Sequence, residues 1–391
     1  MRARSHVAVA GVAASLGAIA ACSLTTDFSG VSDKPDATSG AEHAVPPSRP
    51  AGAPGKGGGI TLFLGVKHFH FAHSNDALKV PGAWQDWGFD LDGLCTSSLA
   101  ADQKGVCIRR PGATPDMVQD GKACRDNNFG SQVVPKLTVY ASAFENDTND
   151  GLGAGTPTWI LALDDLGSGA DDPYVPGRLY LAARTPDKVR PAWDGTDARK
   201  ILTSSVKGGK IDDPVITFPK GYLKGNVWVS GEAADLSLSL PIGKAGVLMP
   251  LVAQHAVIAF RLKDDHASAV DGTGQFAGAM PMSSLESFLA PFLASQTTFC
   301  PGSPQYKSFM DSLAPFADVS LGAASLQDEK SACDGVSFGI GINLAPIAVP
   351  TETAPPESDP PCGTVSDAGS DAAADVGDAA TDTAPDATDA D

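Results

Sequence analysis

Basic residues are scarce in this 391-residue chain and missing from its end. Lys and Arg number 28 against 46 Asp and Glu, the formal net charge is −18, and no Lys or Arg follows Lys330. So acidic a chain is poorly suited to nucleic acid or anionic lipid surfaces, which are held by clustered Lys and Arg. Motifs of common chemistry are missing too. No CxxC pair occurs, so the cysteines lack the spacing of a zinc site. HExxH, the P-loop and GxGxxG are all absent, and their mechanisms lose their usual sequence support. Beyond the N-terminal leader, the most apolar run is Ala245 to Phe260. It is short and carries Pro250, Gln254 and His255, so it predicts paired strands, not a membrane span.

What the chain does have begins with that leader. Arg2 and Arg4 make a basic start, Val7 to Ala18 is apolar or small, and Ile19-Ala20-Ala21 runs into Cys22. This is the layout of a secretory signal. A Cys directly after Ile-Ala-Ala resembles a bacterial lipobox, which makes residues 1–21 the expected signal peptide and Cys22 the lipidated N-terminus. An ordinary cleavage near Ala21, leaving a free thiol, is the alternative. By resemblance to lipoprotein sorting, Ser23 implies the outer membrane, with the lipid as anchor and no spanning segment. Residues 22–59 are rich in Pro, Gly, Ala, Ser and Thr and end in APGKGGG, the composition of a flexible tether. Residues 351–391 are Pro-rich and then Ala/Asp-rich. Their aspartates recur every three or four residues from Asp367 to Asp389, but like charges at helical spacing repel and Pro385 interrupts, so a disordered tail is expected.

Residues 60–350 remain, enough for one large globular domain. Without Cys22, six cysteines are left: Cys95, Cys107, Cys124, Cys300, Cys333 and Cys362. An even number in an exported chain suggests three disulfides. Three lie in each half, so if all pair, an odd number of bridges joins the halves. The expected set is Cys95–Cys107 and Cys300–Cys333 as local bridges, with Cys124–Cys362 tying the ends.

Short apolar or β-branched runs at 60–66, 158–163, 178–183 and 215–218 are bounded by Gly, Pro and Asp and predict strands. Alternation continues through Val227 and Val229, then Leu236, Leu238 and Leu240. Two helices are expected late. Ser283 to Glu286 reads as a capping box ahead of Leu285, Phe288, Leu289, Phe292 and Leu293, with Pro291 as a kink or early stop. Ser303-Pro304 reads as N-cap and N1 of the second. The expected fold is therefore mainly β: a disulfide-stapled, β-sandwich-like domain with a late helical pair, flanked by a disordered tether and tail.

The most distinctive stretch runs from Trp84 to Gly130 and holds three cysteines, two Trp residues and two carboxylate–amide clusters. The folded part is expected to be built around it. FDLDGxCT (Phe89 to Thr96), a second Cys, DGxxxRDNxFG (Asp120 to Gly130) and PAWDGTD (Pro191 to Asp197) together resemble uncharacterised secreted lipoproteins of myxobacteria. That resemblance implies an envelope lipoprotein and carries no activity.

Three candidates for chemistry follow. Asp90, Asp92, Asp126 and Asn128 offer oxygen ligands on Gly-containing turns, which is what Ca²⁺ prefers. Glu145 to Gly151 is a third acidic cluster, without the EF-hand order. The competing reading is that all are turn residues. His68, His70 and His73 put two imidazoles on one face of a strand and a third beyond it, a pattern for zinc or copper. Gly335 to Gly339 spells GxSxG, but the alternating run after it reads as strand and no His follows His266, so the match is accidental. Two functions follow: a tethered structural or binding module whose Trp84, Trp87 and Trp193 meet a glycan or an envelope protein, or a metal-dependent hydrolase centred on HxHxxH.

Overall fold

In the computed structural model, residues 43–52, 59–71, 82–97, 105–186, 189–295 and 299–356 are described. In chain order the elements are β1 (Ile60–His70), α1 (Val134–Tyr140), α2 (Phe144–Gly153), β2 (Thr158–Leu166), β3 (Gly177–Ala182), β4 (Ile201–Leu202), β5 (Ile216–Phe218), β6 (Tyr222–Lys224), β7 (Val227–Val229) and β8 (Ala234–Ile242). They continue with β9 (Val247–Arg261), β10 (Gly274–Pro281), α3 (Met282–Ser295), α4 (Pro304–Asp311), β11 (Gly335–Pro346) and β12 (Thr353–Ala354). The fold is mainly β, as the alternation predicts. Among the described residues, no helix is long and apolar enough to cross a membrane.

The two layers are opposite walls of one curled sheet, in the order β12-β4-β3-β2-β1-β11-β10-β9-β7-β6. Its ends meet. Asp172 exchanges both backbone hydrogen bonds with Leu223 of β6, and Val175, two residues before β3, donates its N–H to Gly221. The period-two pattern of each strand explains the interior. Leu64 and Val66, Leu161 and Leu163, Ile258 and Phe260, and Val336, Phe338, Ile340 and Ile342 all join one continuous core. Phe69, Trp159, Phe276 and Phe338 form an edge-to-face chain with centroids 5.0–5.4 Å apart. Trp159 and Phe276 stand on non-adjacent strands, so this contact crosses the interior. Such pairs add about 0.5–1.5 kcal/mol each beyond burial.

β9 is one 15-residue strand where paired strands were expected. Its first half pairs with β8 and its second with β10 and β7. His255, at φ 52°, sits at the register shift where the partner changes. A bulge absorbs an extra residue and redirects the strand, which lets β9 serve both.

The helices close one end. Phe144 of α2 stands between Phe71 and Phe292, each 5.2 Å away. Ser303 caps α4 by accepting the N–H of Tyr306 at 3.2 Å. Pro291 lies inside α3, which runs on to Ser295 in place of stopping early. α1 and α2 were not expected, and the acidic Glu145 to Gly151 string is helix, not a turn.

The Trp84–Gly130 stretch is not the centre of the fold; it covers the outer face of β11. Outward positions on that strand alternate with the core set and include Gly339 and Gly341. A side chain at Gly341 would come within 2.6 Å of the Trp87 ring, and one at Gly339 within 2.5 Å of Gly88. Trp193 covers Gly65 in the same way. Thus Trp87 and Trp193 are half-buried lids over strand glycines. Parts of the expected tether and tail also join the fold. Ala44 N–H donates to Ala123, Arg49 lies 4.8 Å over the Tyr222 ring, and Thr353–Ala354 pairs with β4.

The expected cysteine pairing is corrected. Cys95 joins Cys124, and Cys107 joins Cys333. Both Cys95–Cys107 and Cys124–Cys362 are thereby overturned, as is Cys300–Cys333; Cys300 is disulfide-bonded as well. Spacing misled because the loop carrying Cys107 pairs with the segment before β11, Ile108 bridging to Ala332. Cys22, His73 and Cys362 lie outside the described residues.

Candidate functional site

Two clusters sit on the outer face. The first is acidic. The turn after Phe89 and the segment before Phe129 run side by side, Asp126 N–H donating to Phe89 O at 2.9 Å. This brings one oxygen each of Asp90, Asp92 and Asp126 within 4.8 Å of the others. The three side chains lie in residues only 8 %, 9 % and 2 % exposed. Each also holds backbone: Asp90 accepts from Gly93, Asp92 from Leu94 and Asp126 from Leu91, at 2.6–2.8 Å. His43 pairs with Asp90, and Gln327 donates to Asp92 at 2.6 Å.

Asp120 and Asp318, neither singled out from the sequence, complete the group. Burial first, then the neighbouring Asp90, drives the Asp92 carboxyl up to about 6. Burial and the charges of Asp92, Asp318 and Asp90 push Asp120 to about 9. Asp318 rises to about 7 through burial and Asp92, against the hydrogen bonds it receives from Ser337. Asp126 is raised well above the carboxylate range by burial and by Asp92, Asp120 and Asp318. Facing carboxylates in a low-dielectric site cannot all ionise unless something positive joins them. A cation that takes oxygen ligands, Ca²⁺ above all, is the chemical match.

Asn128 is not in this group. Its Nδ2 donates to Phe316 O and its Oδ1 accepts from the Ser131 hydroxyl, so the expected ligand is a strut. Asn127 beside it does a similar service. β11 outruns β1, leaving Gly339 without a strand neighbour on that side. Asn127 fills the place: its Oδ1 accepts from Gly339 and Gly130, and its Nδ2 donates to Gly339 and Trp84, at 2.8–3.1 Å. Asn127→Ala strands four backbone groups, three of them buried, and an unsatisfied buried group costs ~1–3 kcal/mol. An expected loss of roughly 3 kcal/mol or more should appear as a lower urea midpoint; an unchanged midpoint would show that water replaces the amide.

The second cluster is His68, His70 and Glu145, whose ligand atoms lie within 4.8 Å of one another. A register shift between Val66 and His68 turns Phe69 and Phe71 inward and both His residues outward. The acid, Glu145, comes from α2.

Ser337 of the GxSxG string is wholly buried within β11; its hydroxyl donates to Asp318 and accepts from Asn128 N–H at 2.9 Å. It is not a nucleophile elbow. Another grouping, His43 with Cys95 and Cys124, has its sulfurs in a disulfide. A cleft of about 170 Å³ between β3, β5 and the β8–β9 hairpin is lined by Trp159, Tyr180, Ser205 and Ser239 among others, with Tyr180 its one ionisable group. No family model matches the chain, and neither does any curated protein or solved structure.

Proposed function

We propose that this protein is a lipid-anchored module of the outer membrane, a structural or binding scaffold whose outer cover is stapled by calcium. The observation that carries the calcium reading is the convergence of Asp90, Asp92 and Asp126 on one buried point, backed by the raised Asp120 and Asp318. The lipobox at Cys22 supports the anchor. Half-buried Trp84, Trp87 and Trp193 suit contact with a glycan or an envelope protein, since each has an apolar body with a polar N–H.

The experiment is made on the full chain. Wild type should incorporate labelled fatty acid and sediment with outer membranes, carrying one calcium per chain that EDTA removes with a fall in Tm. Cys22→Ala should lose the lipid and the membrane association while keeping the calcium. Lipid labelling that survives Cys22→Ala, or a calcium-free protein indifferent to EDTA, overturns the corresponding half. A second reading, a metal-dependent hydrolase centred on His68 and His70, draws on the approach of Glu145 to both rings.

A further inference from the structure

We propose that His68, His70 and Glu145 form a transition-metal site, separate from the acidic cluster and independent of the scaffold reading. Two imidazoles and one carboxylate are the donor set that Zn²⁺, Cu²⁺ and Ni²⁺ take, whereas Ca²⁺ takes oxygens alone.

The three side chains arrive from different directions onto one spot. β1 supplies both His residues on its outward face, their ring centroids 4.4 Å apart. α2 supplies Glu145, whose Oε1 lies 4.0 Å from His70 Nδ1. Ligand atoms around a four-coordinate zinc stand ~3.3 Å apart, as bonds of about 2.0–2.2 Å require. Atoms already within 4.8 Å reach that spacing by rotating side chains, with the backbone fixed.

The surroundings hold these groups in place, as outer-shell partners of metal ligands do. Phe71 N–H donates to Glu145 Oε2 at 3.0 Å, leaving Oε1 toward His70. Asn149, one turn along α2, brackets Phe69 through its N–H and C=O at 2.8 and 2.9 Å. The same Asn149 amide donates to His68 Nε2 at 3.1 Å, so this nitrogen carries the lone pair that a metal would take in place of the hydrogen bond. Trp87 stacks on His70 at 4.9 Å and 14° and walls one side. Glu145 is 3 % exposed and His70 24 %, so the acid is sequestered and the imidazole partly buried. Three protein ligands fill three positions of a four-coordinate ion, and the fourth would go to water or a further ligand.

The test is Zn²⁺ titration by calorimetry on the full mature chain in detergent, with Ca²⁺ in excess to occupy the acidic cluster. One Zn²⁺ per chain is expected. Glu145→Gln retains an acceptor for Phe71 N–H and so keeps the fold, yet removes the anionic ligand. Outer-shell losses alone weaken binding about 10–100-fold. Glu145→Gln and the pair His68→Ala/His70→Ala should therefore each cost more than about a hundredfold. Circular dichroism checks that each variant is folded. With Cu²⁺, electron paramagnetic resonance should show two imidazole nitrogens, lost in the double His variant. Absence of Zn²⁺ binding by folded wild type, binding unchanged in folded Glu145→Gln, or a copper signal from oxygens alone would each overturn the site.

Discussion

The double replacement Cys107→Ala/Cys333→Ala is expected to cost about 5 kcal/mol, close to the whole stability of many domains. The bridge spans 226 residues, and a longer closed loop restricts the unfolded chain more. Cys95–Cys124 spans 29, for which the same relation gives roughly 3–4 kcal/mol. Denaturant midpoints of the two double variants should fall in that order. A larger loss for Cys95–Cys124 would mean that its place beside the acidic cluster outweighs chain entropy.

The second large effect is a stability that falls with rising pH when divalent cations are removed. Asp92, Asp318 and Asp120 hold protons in the fold up to about 6, 7 and 9, against an ordinary 3.8. A raised carboxyl binds protons more tightly folded than unfolded. Its contribution is therefore whole in acid below about pH 4 and drains away as pH climbs through 6, 7 and 9. Several kcal/mol are at stake, since a tenfold change in proton affinity is worth ~1.4 kcal/mol. In EDTA the Tm should decline steadily from pH 5 to 9. Calcium should restore it most at the alkaline end, because there the cation no longer displaces protons. Asp120→Asn, which keeps an acceptor for Thr96 N–H, should flatten the EDTA profile. A flat wild-type profile in EDTA would refute the cluster's electrostatics.

The strands were legible because inward and outward residues alternate in most of them. The second late helix was legible through Ser303-Pro304. α2 was not, since between Phe144 and Leu152 its inward face is polar: Glu145, Thr148 and part-buried Asn149 are spent on backbone groups of Phe71, of the β8–β9 turn and of Phe69. Read alone, that string has the composition of a loop. The acidic cluster was half visible. Asp90, Asp92 and Asp126 stand in turn motifs, but Asp318 lies almost two hundred residues on and gives no local sign of joining them. Asn128 shares Asp126's neighbourhood in sequence and not in space. His68 and His70 owe their outward placement to a strand irregularity that no residue type announces.

The pairing of β1 with β11 has a consequence for how the chain acquires its shape. The first strand waits for one near the end of the chain, so nothing made early can close the sheet, and Cys107 has no partner until residue 333 has emerged. Such sequence-distant contacts make folding slow and expose strand edges meanwhile. During vectorial synthesis the domain stays open until β11 is delivered. A chain cut short before β11 would present the unpaired edge of β1 and aggregate rather than fold in part.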